Sequence, residues 1–177
     1  MRGTLAKWLI VFIGVALVSP LPAAHAEWTY TTSENRMDGT VFRFAHLESS
    51  DLIAMQFPYK THRPVLVIRT KDPADLAVMI LFSGQAQGDT LEGGDLRAKF
   101  DSGRPGVWRF GFPNDRRSGQ VFLREVTDFF WQVRTSKHLL VELPIYGDGA
   151  KTFAFDLSGL DIARLGMKTR APKGKKE

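Results

Sequence analysis

Side chains able to act as general bases are few in this chain. Apart from His25, which lies in the N-terminal segment discussed below, the histidines are His46, His62 and His138. Four Ser-Gly pairs occur, but none lies in a Gly-x-Ser-x-Gly nucleophile motif, and turn chemistry explains them. We therefore predict no catalytic residue and interpret each histidine as structural or surface-exposed.

Metal and cofactor chemistry also lacks a sequence signature. The absence of cysteine excludes a thiol nucleophile, a disulfide framework and a thiolate-bound zinc or iron–sulfur site. The histidines do not show the His-x-His or His-Glu-x-x-His spacing of transition-metal sites. An acidic, glycine-rich segment with Asp89, Glu92 and Asp95 could bind calcium, although its glycines suit a hairpin connection equally well. We predict no metal or cofactor and leave calcium open as an alternative.

One predicted strand carries alternating aromatic side chains beside a basic loop. Trp108, Phe110 and Phe112 precede Arg116 and Arg117, and together the five residues are a candidate contact patch for a partner protein. A plain core strand is the competing interpretation, because large aromatic side chains usually bury. Paired carboxylates for sugar hydrolysis cannot be identified at this level, since their separation depends on the fold.

The elements that must position these residues are mostly strands. Short apolar segments separated by turn residues every ten or so positions predict a mainly β fold, an antiparallel β-sandwich of about 8–10 strands. The near-continuous apolar run 65–68 predicts a central strand. The run 76–82 is long enough to be a helix or a strand, and its β-branched residues and the following Ser83-Gly84 favour a strand. The predicted strands are 28–32, 40–47, 52–57, 65–69, 76–82, 96–101, 107–112, 121–123, 139–143 and 153–157.

One segment has a helical period instead. Val126, Phe129, Phe130 and Val133 recur at i, i+3, i+4 and i+7, which predicts a single amphipathic helix packed across the sheet. A final short helical turn is predicted to begin within residues 158–160, with Ile162 and Leu165 as its apolar positions. The body, residues 27–167, contains neither an internal repeat nor a linker, so we expect one domain.

Both ends of the chain are predicted to lie outside this domain. Arg2 and Lys7, an apolar run over residues 8–18 and the sequence Ala24-His25-Ala26 form the pattern of a secretory signal peptide cleaved after Ala26. The apolar run is shorter than the ~20 residues that cross a bilayer. We therefore expect a periplasmic protein without a transmembrane segment after cleavage, and a disordered basic tail at residues 168–177.

The charge distribution bears on possible partners. The formal net charge of +5 is concentrated at the two ends, and residues 27–167 carry a net charge of −1. Because the domain lacks a basic stripe interleaved with aromatics, we do not expect nucleic-acid binding. The tail could contact anionic lipid head groups weakly, although a solvated end without a partner is the simpler interpretation.

A family resemblance rests on five segments in order. They are Phe57-Pro58-Tyr59 before a strand ending in Ile68-Arg69, then Gly84-Gln85, residues 97–101, residues 129–135 and residues 153–160. These segments resemble a family of exported bacterial proteins that includes the VasI-like accessory proteins of type VI secretion. The resemblance implies a periplasmic β-rich accessory or binding domain without an established active site. In the matched segments we expect Phe100 and Leu160 to fill the core and Arg69 to pair with Asp101.

The sequence thus favours a non-enzymatic accessory or binding protein of the bacterial envelope, with an envelope protein as partner and a secretion system as one setting. Two alternatives stay open. One is a hydrolase that acts on cell wall or polysaccharide through paired carboxylates. The other is a carrier that holds a small apolar ligand between the sheets.

Overall fold

The computed structural model describes residues 27–71, 75–115 and 119–167, which contain nine strands, one α-helix and one short 3₁₀-helix. The predicted signal peptide, the basic tail, Arg116 and Arg117 lie outside the described residues. The strands are β1 (Thr29–Glu34), β2 (Val41–Glu48), β3 (Val65–Thr70), β4 (Leu76–Leu81), β5 (Gly94–Phe100), β6 (Gly106–Gly111), β7 (Gln120–Leu123), β8 (His138–Ile145) and β9 (Gly149–Asp156). Helix α1 spans Val126–Thr135, and the 3₁₀-helix spans Ile162–Leu165.

The strands form one antiparallel sheet in the order β1-β2-β3-β4-β7-β6-β5-β8-β9. This confirms the predicted mainly β, antiparallel class with a single helix. Alternate residues of each strand point to one side, as a pleated strand requires. Leu47 and Ile80 from one half of the sheet share a single hydrophobic core with Leu139 and Phe153 from the other half. The two halves therefore enclose one core in a sandwich-like arrangement.

Polar contacts link the two ends of the sheet. Ser50 N–H donates to Ala154 O over 2.8 Å, and Ala154 N–H donates to Asp51 Oδ2 over 2.7 Å, so the β2–β3 connection covers the outer edge of β9. Trp28 Nε1–H donates to Leu157 O over 3.2 Å. These bonds satisfy backbone groups that an open edge strand would leave unpaired.

The predicted strand at 52–57 is wrong. Only Ile53 pairs there, in an isolated bridge with His62. Leu52 is 61% exposed and Phe57 is 97% exposed, whereas Ile53 and Met55 pack against the edge of the core without forming a strand. The composition of residues 52–57 is typical of a strand, but a strand also needs a free edge to pair with. The edge of β9 is instead bound by Ser50 and Asp51, which immediately precede this segment.

Helix α1 confirms the predicted amphipathic segment. Phe129, Phe130 and Val133 are buried in the core, and the Phe129 ring meets Trp108 edge-on with centroids 5.0 Å apart. Asp128 in the first turn and Arg134 in the last turn complement the helix dipole. Among the described residues, no helix has the length and apolarity needed to cross a membrane.

The predicted short helical turn is present, but it begins at Ile162 rather than within residues 158–160. Asp161 Oδ1 accepts from Ala163 N–H over 2.9 Å at its start, and Gly166 ends it with a left-handed φ of 73°. Ile162 and Leu165 are buried, so this turn is anchored to the core beside β2. Phe100 and Leu160 pack against the core as expected, each partly buried.

Candidate functional site

The aromatic residues of β6 face the core. Phe110 is 0% exposed, and Trp108 and Phe112 are partly buried against the core. Phe110 therefore cannot contact a partner, and the core interpretation applies to it. The outward positions of this strand are Val107 and Arg109, because alternate residues point to opposite faces. We place no contact surface on these aromatics.

The acidic segment 89–95 is organised by internal hydrogen bonds. Asp89 Oδ1 accepts from the backbone N–H groups of Leu91 and Glu92 over 2.8 and 2.9 Å, and these bonds lower the pKa of the Asp89 carboxyl. The Arg124 guanidinium donates to Glu92 O over 2.8 Å and to Leu91 O over 3.3 Å. A cation bound to these carbonyl oxygens would meet the guanidinium, so the structure favours the hairpin interpretation over calcium.

Grouped metal ligands are absent from the part of the chain that the structure describes, where no three His, Asp or Glu side chains come together. His62 is structural. Its Nε2 accepts from Ser83 N–H over 2.8 Å, which places the proton on Nδ1, and Nδ1–H donates to Lys60 O over 3.2 Å.

A polar groove lies on the outer face of β5, β8 and β9. Its volume is about 560 Å³, and its charged or titratable lining residues are Arg63, Lys99, Asp101, His138 and Asp156. Asp101 Oδ1 accepts from the backbone N–H groups of Lys137 and His138 over 3.0 and 2.9 Å, and these bonds lower the pKa of the Asp101 carboxyl.

The other groups of this polar groove also hold the backbone. Asp156 accepts from Ser158 N–H over 3.1 Å, and Arg63 Nη1 donates to Ser49 O and Ser50 O. A general acid needs a raised pKa and access to a substrate oxygen. The two carboxylates here are instead backbone acceptors, and that of Asp101 has a lowered pKa.

The expected pair between Arg69 and Asp101 is wrong. Asp101 is held by the backbone of residues 137 and 138, at the end of the β5–β8 ladder. Arg69 lies in the other half of the sheet, where its Nη2 is 3.7 Å from Asp75 Oδ1. The sequence could not show this separation, because it follows from strand order.

The strongest candidate site is an apolar groove on the outer face of β2, β3, β4 and β7, which we call the outer groove. Its volume is about 340 Å³. The lining residues are Phe42, Phe44, His46, Val67, Arg69, Met79, Leu81, Gln120 and Phe122. Apart from Arg69 these side chains carry no formal charge at neutral pH, since burial lowers the pKa of His46. The groove thus suits an apolar ligand.

The strand register explains the floor of the outer groove. Val67 lies between His46 and Met79, and Met79 lies beside Phe122 on the next strand. Val67 is 2% exposed and Met79 is 4% exposed, yet neither belongs to the main core cluster. They are buried by neighbours on their own face, with the core on the opposite side of the sheet.

The two described helices pack on the opposite, inner side of the sheet. Phe129 of α1 shares the core with Val78 and Ile80, whose strand neighbours Met79 and Leu81 point the other way. The 3₁₀-helix also buries Ile162 and Leu165 in that core. Within the described ranges, therefore, neither helix covers the outer groove.

His46 and Arg69 are the polar groups of the outer groove. His46 stacks on Phe44 with ring centroids 5.9 Å apart, and its Nε2 is 3.2 Å from Thr31 Oγ1. The Arg69 guanidinium carbon lies 5.7 Å from the centre of the Phe42 ring. Its Nε is buried and has no hydrogen-bond partner in the described structure. The side chains that line the groove include a base and a cation but no Ser, Thr or Cys, which fits binding better than covalent catalysis.

Comparison with protein-family models, with curated proteins and with solved structures finds no match to this chain. The resemblance to VasI-like accessory proteins therefore stays a prediction.

Sequence reasoning missed the outer groove, although two signals were present. Phe42 and Phe44 alternate on one face of β2, and the run 65–68 is apolar at every position, as in a strand buried on both faces. A strand that is apolar at every position indicates that other groups cover both faces of the sheet. What the sequence could not show is that the described part of the protein covers only one of them.

Proposed function

We propose that this protein is a non-enzymatic binding protein of the bacterial cell envelope and that its outer groove binds an apolar segment of a partner protein. The observation that carries the proposal is an apolar groove on a sheet face that neither described helix reaches, with Val67 and Met79 as its floor and half-buried aromatic side chains at its rim. Burial of such a surface is favourable by roughly 25 cal/mol per Å² of apolar area. Concave, largely apolar pockets with a few polar groups are the usual form of a binding site.

The dimensions of the groove fit a short extended segment. Positions 42, 44 and 46 span about 14 Å along a strand, and the four strands span about 14 Å across the sheet. Three alternate side chains of an extended peptide cover the same length. We therefore expect two or three side chains of the partner to enter the groove, with its polar alternate residues facing solvent.

Charge argues against a second copy of this chain as the occupant. The groove lining includes the cation Arg69 and no Asp or Glu. A two-fold contact between two such faces would bury both Arg69 side chains, and neither lining would supply an Asp or Glu to pair with them. A different protein that supplies a carboxylate fits this lining better.

Neither alternative function gains a supporting observation. A polysaccharide hydrolase needs a carboxyl with a raised pKa. In the polar groove the pKa of Asp101 is lowered, and the carboxylates of Asp101 and Asp156 both accept hydrogen bonds from backbone N–H groups. A carrier with a cavity between the sheet halves needs interior space. The large side chains Phe110, Phe129, Phe153 and Phe155 are fully buried in that interior.

The envelope location and the link to a secretion system rest on the N-terminal pattern and on the family resemblance. Cell fractionation followed by N-terminal sequencing tests the location directly. We expect a periplasmic protein that begins at Glu27. A cytoplasmic chain that retains residues 1–26 would contradict the location and leave the binding proposal standing.

Site-specific photo-crosslinking in the native host tests the binding function. A benzophenone amino acid in place of Phe44 should give one discrete protein adduct. The same amino acid at Val107, which is 68% exposed on the outer face of β6, is the matched control and should not give that adduct.

A second substitution makes the crosslinking result specific to the groove. Phe122→Ser, across the groove from Phe44, should abolish the adduct, whereas Trp131→Ser on the exposed face of α1 should leave it unchanged. Phe42→Ser replaces Phe122→Ser if the latter lowers the thermal unfolding midpoint strongly. Equal adducts at positions 44 and 107, or an adduct that survives both groove substitutions, would refute the proposal.

A further inference from the structure

We infer that Arg69 is the specificity-determining residue of the outer groove and binds an acidic side chain of the partner segment. This inference rests on the proposed function and adds the chemistry of the occupant. The partner segment would present two apolar side chains and one Asp or Glu along the same face of an extended chain.

The register places Arg69 at one side of the apolar floor. Arg69 lies directly between Phe44 and Ala77 in its row across the sheet, and Val67, two residues earlier on the same strand, belongs to the next row. Alternate residues of a strand are about 6.6 Å apart. A bound extended segment with the same spacing can therefore place two side chains over the apolar rows while the next one meets Arg69.

The hydrogen bonding of Arg69 is incomplete. Its Nε is buried without a partner among the described residues, and its Nη2 is 3.7 Å from Asp75 Oδ1, which is longer than a hydrogen bond. A buried donor without a partner is costly and is uncommon in native proteins. The structure therefore holds a guanidinium that gains from a new acceptor.

A carboxylate is the acceptor that fits this guanidinium. Nε–H and Nη2–H form a planar pair of donors that matches the two oxygens of a carboxylate. The guanidinium packs beside the Phe42 ring, which orients it and partly shields it from water. Because Nε is shielded from solvent, the proposed contact requires the end of the side chain to turn its Nε edge toward the groove. In an apolar surrounding such a charge-assisted pair is stronger than in water.

Binding of defined peptide pools tests the inference. The probes are N-acetylated, C-amidated seven-residue peptides with Leu, Val, Ile or Phe at positions 2 and 4, Glu at position 6 and Ser elsewhere, together with the reversed order. The matched pools carry Gln in place of Glu. Affinity is measured by fluorescence anisotropy with the wild-type protein, Arg69→Gln, Arg69→Lys and Phe122→Ser.

We expect the Glu pool to bind the wild-type protein roughly tenfold or more tightly than the Gln pool, as for a partly buried charged hydrogen-bond pair. In Arg69→Gln the two pools should bind equally, and Arg69→Lys should restore part of the difference because it keeps the charge without the fork. Phe122→Ser should weaken both pools.

The outcomes separate this inference from the proposed function. Equal binding of the Glu and Gln pools by the wild-type protein, with loss of both in Phe122→Ser, overturns the role of Arg69 and supports the groove. Absence of groove-dependent binding by either pool overturns both. A further pool of Gln peptides with a free C-terminus tests whether Arg69 binds a terminal carboxylate instead. If that pool binds in an Arg69-dependent manner and the Glu pool does not, the proposal that Arg69 binds an acidic side chain is overturned.

A spectroscopic readout serves if Arg69→Gln fails to fold. The Arg69 Nε–H proton should be visible by NMR because the atom is shielded from solvent. It should shift on addition of the Glu pool and not of the Gln pool. A signal that the two pools affect equally would contradict direct carboxylate binding.

Discussion

Two glycines with nearly the same backbone conformation should respond very differently to alanine. Gly93 has a φ of 84° and Gly159 has a φ of 83°. A Cβ added at Gly93 would lie 1.8 Å from Phe110 O, whereas a Cβ added at Gly159 would meet nothing within 4 Å. The pair therefore separates the cost of the left-handed conformation from the cost of close backbone packing between the 89–95 segment and β6.

The magnitudes follow from the geometry. Left-handed strain costs both variants about 1 kcal/mol. Gly93→Ala must also push the chain away from β6, at about 1–3 kcal/mol for overpacking. That movement disrupts the paired bonds between Asp89 and Gly93, both 2.7 Å, which contribute about 1 kcal/mol each. We expect a loss of roughly 4–6 kcal/mol for Gly93→Ala and about 1 kcal/mol for Gly159→Ala.

Urea unfolding followed by tryptophan fluorescence measures this difference. With a slope of about 2 kcal/mol per molar, the unfolding midpoint should fall by about 2–3 M for Gly93→Ala and about 0.5 M for Gly159→Ala. Gly147→Ala, at a φ of 73° in open space, should behave like Gly159→Ala. Equal midpoints for Gly93→Ala and Gly159→Ala would show that the glycine-rich segment is not packed against β6, and the reasoning would fail.

Three further predictions concern the helix and two titratable groups. Phe129→Ala should lower the free energy of unfolding by about 3–5 kcal/mol, because it empties a buried position of the core. Trp131→Ala, on the exposed face of the same helix, should lower it by under about 1 kcal/mol. Equal losses of unfolding free energy, measured by calorimetry, would contradict the assignment of the buried face. The lowered pKa of Asp101 stabilises the fold above about pH 3.8, and this contribution is lost as the pH falls through the folded-state pKa. Asn tolerates the φ of 46° at position 101, so Asp101→Asn isolates the loss of the carboxylate. Asp101→Asn should lower the free energy of unfolding at neutral pH. In strong acid its free energy of unfolding should be closer to that of the wild-type protein, as measured by unfolding at several pH values. Burial lowers the pKa of His46, so stability should decrease as the pH falls below about 6.5, and His46→Gln should remove that part of the pH dependence.

The sequence predicted most strands and the one α-helix, because the spacing of apolar residues along the chain indicates these elements directly. The alternation around Leu96 and Ala98 predicted β5, and the spacing of Phe129 and Val133 predicted α1. The segment 52–57 shows the limit of this reasoning. Its composition suits a strand, but the chain there has no open edge to pair with, and edge availability is a property of the assembled sheet.

The pairing of charged groups was less predictable than the strands. Arg69 and Asp101 lie at strand ends in sequence, yet strand order places them in different halves of the sheet. Asp101 instead accepts two backbone N–H bonds that only the return of the chain at β8 supplies. Contacts between distant residues depend on which strands become neighbours, and residue types do not specify that choice.

By itself the sequence determined the secondary-structure class, the buried stripe of α1 and the absence of thiol chemistry, because side-chain period and residue type act locally. Tertiary structure decided which apolar surfaces are covered. Phe110 turned inward, whereas Val67 and Met79 came to lie on a face of the sheet that neither described helix reaches. The reason is that burial is shared between elements far apart in the chain, so the same apolar residue is core or binding surface according to what folds over it.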